Sequence, residues 1–125
     1  MPTDALVGFR EAMLETKAMG FAEAKAAQWA LGRAVRAMLV AKGVPSVAAE
    51  GFQAPGVVVS FTTDPDIQNG SKFKALGYQI AAGVPLQVGE GAEFRTFRLG
   101  LFGLDKLKDV DATLARLKTA LDQVL

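Results

Sequence analysis

Phe94-Arg95-Thr96-Phe97-Arg98-Leu99-Gly100-Leu101-Phe102-Gly103 is the stretch that sets the fold. Its alternation predicts a strand over residues 94–101, because successive side chains of a strand point to opposite faces. Phe97, Leu99 and Leu101 share one face, which is apolar enough to be core. Thr96, Arg98 and Gly100 share the other, so Arg98 is expected to face away from that core. Arg98 carries a permanently protonated, planar fork that can hold a carboxylate through two parallel hydrogen bonds. Arg95 reads as a solvated cation at the strand edge, and Gly100 and Gly103 as close-packing or turn positions.

On the C-terminal side, a helix is expected over residues 108–125. Val110, Leu114, Leu117, Leu121 and Val124 form its apolar stripe, with Arg116 and Lys118 off it, and Asp109 suits its first turn. On the N-terminal side, residues 83–93 carry Gly83, Pro85, Gly89 and Gly91 and read as a loop. Residues 78–82 read as a brief strand. Asp64-Pro65-Asp66 is a turn feeding a short helix through Phe73 and Leu76, which Gly77 ends. Asn69-Gly70-Ser71 matches a glycosylation sequon formally and reads as a turn. Val57-Val58-Val59-Ser60-Phe61-Thr62 is the clearest strand, entered from Pro55-Gly56. Residues 44–54 form a connector with a short strand expected at 46–48.

The first 43 residues predict a helical pair. Thr3 or Asp4 is a candidate cap for the first helix, with Leu6, Phe9 and Met13 at helical spacing and Gly20 as the stop. The second helix is expected over 21–42, with Leu31, Val35, Met38 and Leu39 as its apolar stripe and Gly43 closing it. The order α-α-β-α-β-β-α indicates a single α+β domain over residues 1–125. It should hold a small, mainly antiparallel sheet of three or four strands with helices packed on one side.

Composition removes whole classes of chemistry. The chain has 125 residues, half of them apolar, with 14 basic against 13 acidic side chains, no cysteine and no histidine. Disulfides, thiolate catalysis, Ser-His-Asp triads and most zinc sites cannot be built from it. A net charge of +1 gives no electrostatic case for nucleic acid or for an anionic membrane. No secretion signal and no membrane span are legible, so the cytoplasm is the expected compartment.

The ordered set of segments resembles the C-terminal small domain of class V pyridoxal-phosphate (PLP) aminotransferases, the alanine–glyoxylate and serine–pyruvate type. Phe97-Arg98-Leu99-Gly100-Leu101-Phe102-Gly103 is similar to that family's F-R-[IL]-G-x-[MF]-G strand. Pro2-Thr3-Asp4-Ala5-Leu6 is similar to the entry of its interdomain helix, and Arg33-Ala34-Val35-Arg36 falls in the helix that follows. Pro55-Gly56-Val57-Val58-Val59 resembles its strand after an S-P-T-V turn. Gly77-Tyr78-Gln79-Ile80-Ala81-Ala82-Gly83 resembles its G-[IV]-x-[IL]-x-x-G segment, and residues 110–125 its terminal helix. The likeness runs the length of the chain. Departures are Leu101 and Phe102 where many members have His-Met, Gly83-Val84-Pro85-Leu86 with an acidic loop through Glu90 and Glu93 in place of G-G-L-G, and Gln28 in place of a histidine.

The resemblance implies the small domain of a fold-type I enzyme in which Arg98 binds the α-carboxylate of an amino acid or 2-oxo acid during transamination. It implies PLP as the cofactor, held by a lysine and an aspartate of a large domain outside the residues matched here. None of the eight lysines stands in a matching context, so the chain alone is expected to be inactive. The implied partners are that large domain and, in the parent enzyme, a homodimer mate. A stand-alone regulatory module that binds amino acids through Arg98 is the alternative. Trp29, Arg33 and Arg36 lie opposite the apolar stripe of the second helix. They allow both a surface cation–π contact and docking onto another domain or subunit.

Overall fold

The computed structural model describes residues 2–125. Helix α1 spans Thr3–Met19 and helix α2 spans Phe21–Ala41. Gly20 separates them at φ 99°, a left-handed value that favours glycine. Neither Thr3 nor Asp4 caps α1. Pro2 occupies the cap position without a side-chain hydrogen bond, while Asp4 lies in the first turn, where a carboxylate suits the helix dipole. Gly43, at φ 77°, follows the end of α2 and lets the chain turn back.

Strand β1, Val57–Phe61, is followed by two helical turns, α3 (Pro65–Gln68) and α4 (Ser71–Ala75). A short helix through Phe73 and Leu76 and a turn at Asn69-Gly70-Ser71 were expected there. The turn forms, with Asn69 capping α3 and Gly70 in the left-handed region, and it splits the helical stretch in two. Strand β2 is only Ala81–Ala82, and β3 is Thr96–Gly100. The expected strand over 78–82 shortens because Tyr78 and Ile80 pack against the core, and the Tyr78 hydroxyl donates to the Arg116 carbonyl. The strand expected at 46–48 reduces to one bridge, Ser46 to Ser60.

A further helical turn that was not expected, α5 (Leu104–Leu107), precedes the last helix, which forms as one element, α6 (Val110–Val124). Asp109 is the cap of α6, its carboxylate accepting from the Ala112 N–H at 2.9 Å.

The three strands form an antiparallel sheet in the order β1-β3-β2. One face carries Val58, Leu99 and Phe97 into a core completed by Leu31, Val35 and Leu39 of α2, Phe73 of α4 and Leu121 of α6. This is the expected α+β architecture, a small antiparallel sheet joined by several helices. The buried rings of Phe73 and Phe97 stand 6.1 Å apart. α1 lies outside that core and buries no residue. No helix among the described residues is long and apolar enough to cross a membrane.

A strand-borne arginine and the loop beside it

Arg98 is the central residue of β3 and is paired on either side with Val59 of β1 and Ala81 of β2. Its neighbours Phe97 and Leu99 are buried, so the pleat turns its own side chain toward the opposite face. The side chain is half-buried there. Its Nε–H donates to the Ala82 carbonyl at 3.0 Å, which anchors one edge of the guanidinium. Among the described residues, no protein acceptor engages its two terminal amino groups and no carboxylate lies within 4.0 Å. A fork held by one edge and open at the other is suited to an acid group from outside the fold.

Thr96, on the same face, is almost fully buried, which the strand pattern alone does not explain. The cause is close approach by the chain around Gly83. A Cβ at that position would stand 1.7 Å from the Thr96 carbonyl oxygen, so only glycine fits. From Gly83 the loop folds over a concavity of about 510 Å³ that reaches from Gln68 and Thr96 to Pro85 and Glu90. Arg98 does not line it.

Within the loop, the backbone N–H groups of Leu86, Gln87 and Val88 donate to the Glu90 carboxylate at 2.5, 2.8 and 2.8 Å. Gln87 takes φ 60°, rare for a side-chain-bearing residue, and this turn brings the three donors together. The Glu90 backbone N–H and those of Gln87, Val88 and Leu86 hold its pKa down at about 2. Nothing in the sequence pattern marked this carboxylate, because its partners exist only once the loop has folded.

Arg95 differs from expectation. It is not a solvated edge cation. Its Nε–H donates to Gln68 Oε1 and its Nη1–H to the Thr63 carbonyl, each at 2.9 Å, so it braces the turn after β1. Arg36 is likewise structural, donating from its terminal amino groups to the Ala54 and Val57 carbonyls at 2.8 and 3.2 Å. Gln28 bridges α2 to the sheet through the Pro55 and Leu101 carbonyls. Phe102, just after β3, is exposed. The Arg33 guanidinium carbon sits 5.2 Å from the centroid of the Trp29 ring, which makes the anticipated cation–π contact real.

All eight lysines are exposed or half-buried, and Lys42, Lys72, Lys106 and Lys118 are in ion pairs with Asp122, Asp64, Asp105 and Asp122 respectively. Among the described residues no cluster of three acidic groups could hold a metal ion. No described protein family and no curated protein sequence matches this chain.

Proposed function

We propose that this chain is the C-terminal domain of a class V PLP-dependent aminotransferase, acting in the cytoplasm. In this reading Arg98 receives the α-carboxylate of the amino acid or 2-oxo acid. The observation that carries it is a guanidinium on the outer face of β3, anchored through Nε to Ala82 and free of acidic partners among the described residues. The cofactor would belong to a large domain, which would also carry the lysine that holds it. PLP would there supply the electron sink for the α-carbon. This chain contributes orientation: one edge of the Arg98 fork fixed, the other binding the acid group so that the substrate is held in a single pose.

The exposed apolar residues of α1, Leu6, Phe9 and Met13 among them, fit a domain that works with a neighbour on that side. A homodimer of the complete enzyme is part of the same reading.

The test is kinetic, in an enzyme carrying both domains. A charge-assisted bidentate bond contributes about 1.5–3 kcal/mol, so Arg98→Ala should lower kcat/KM about 10- to 150-fold. Arg98→Lys should recover little, because an ammonium is a point charge without the fork. A near-normal kcat/KM in Arg98→Ala removes the assigned role. If the chain alone binds free amino acids, and loses them on Arg98→Ala, the regulatory-module reading takes its place.

A further inference from the structure

A second basic site is built on α2. Trp29, Arg33 and Arg36 form one wall of a cavity of about 450 Å³, and the turn carrying Glu50 and Gln53 forms the other. That volume is ordinary for a small-molecule pocket.

The wall is built but its charges are unmatched. Arg33 rests against the Trp29 ring and, among the described residues, has neither a hydrogen-bonded acceptor nor a carboxylate partner. Arg36 is half-buried, and its Nε–H is fully covered with no acceptor. A buried donor without a partner is costly and uncommon in a native fold. The carbonyls of Ala54 and Val57 each take one bond from a terminal amino group but bring no negative charge. Burial lowers the Arg36 pKa, the direction expected of a cation lacking a counter-ion. Glu50, the carboxylate of the cavity, accepts from Gln53 Nε2 at 2.8 Å and makes no ion pair with either arginine. The cavity therefore combines two guanidiniums, one diverted carboxylate and an indole.

The geometry points to a binding site for a small planar organic anion, a ring bearing a carboxylate or a phosphate ester. Its acid group lies on Arg33 and its ring along the Trp29 wall. The cation–π contact already holds the Arg33 fork in place, so binding immobilises little that is not immobile beforehand. The indole supplies a flat apolar surface that a simple inorganic anion cannot use. This site uses none of the groups around Arg98, and its test does not depend on them.

Trp29 is the single tryptophan of the chain, so its emission reports on this cavity alone. The intact chain is titrated with benzoate and with phenyl phosphate, using benzamide as the neutral ring and inorganic phosphate as the ringless anion. Saturable changes in emission with benzoate or phenyl phosphate, at least ten-fold tighter than with either control, are the expected result. The stronger of the two identifies the acid group. Arg33 is exposed on a helix surface, so Arg33→Gln should keep the native far-UV spectrum and weaken binding ten-fold or more. Backbone amide shifts of Gly51 and Gln53 should move with the same dissociation constant. The proposal is overturned if neither anion alters Trp29 emission, if benzamide or inorganic phosphate binds equally well, or if Arg33→Gln leaves affinity unchanged.

Discussion

Ser60 and Arg98 show what a single position on a strand can and cannot disclose. Ser60 sits on the inner face of β1 opposite Phe97, almost fully buried, and its hydroxyl has no hydrogen-bond partner among the described residues. Desolvating such a group without compensation costs about 1–3 kcal/mol. Ser60→Ala removes the orphaned oxygen and leaves a void smaller than a methyl group. The thermal midpoint of Ser60→Ala should therefore equal or exceed that of the native chain, and a clear drop would show that the hydroxyl has a partner after all. The facing of Arg98 was legible because a period of two needs only the sequence. Its anchor was not, since Ala82 reaches the Arg98 Nε–H only through the β2–β3 pairing. Arg95 misled for the same reason: Gln68 and Thr63 are distant in sequence and adjacent only in the fold.

At the scale of elements, the long ones followed their signals and the short ones did not. α2 and α6 have apolar stripes long enough to be seen, and β1 is a run of β-branched residues. α5 has four residues, too few for any periodicity, and β2 has two. The break between α3 and α4 was written in Asn69-Gly70, whose turn chemistry outweighs the helical spacing around it. Residues 83–93 were expected to form a loop without helix or strand, and within it the Glu90 carboxylate closes a turn on three backbone donors. Its pH response follows from the direction of the shift. A folded-state pKa lowered from 4.5 to about 2 means that the stabilisation is fully present above the ordinary glutamate pKa and is lost as pH falls through about 2. The amide resonances of Leu86, Gln87 and Val88 should titrate with a midpoint near 2, and a midpoint near 4.5 would show that the carboxylate is not held there. Glu90→Gln should abolish the transition.

At the scale of the whole molecule, two parts of the chain bear different loads. The core lies among α2, the sheet, α4 and α6, and includes no fully buried side chain from α1. Met19, at the end of α1, is only partly buried against it. Leu6, Val7, Phe9, Met13 and Leu14, followed by Phe21 at the start of α2, are each exposed by 44% or more. Apolar residues at helical spacing ordinarily mark a face turned inward, and here that inference fails because the described residues leave these side chains of α1 exposed. Exposed apolar area of this kind favours association over solubility but contributes little to folding, since the same side chains meet water in the unfolded chain. Stability and association can thus be separated experimentally. The double variant Phe9→Lys, Met13→Glu removes two of the largest exposed groups and places opposite charges four residues apart on one helix face. Its unfolding free energy should stay within about 0.5 kcal/mol of the native value, as for substitutions away from the core. Sedimentation should show less self-association than the native chain at equal concentration. A cooperative transition lost or shifted by several degrees would mean that α1 supports the core directly, and the division of the molecule into a folded unit and an outlying apolar helix would be wrong.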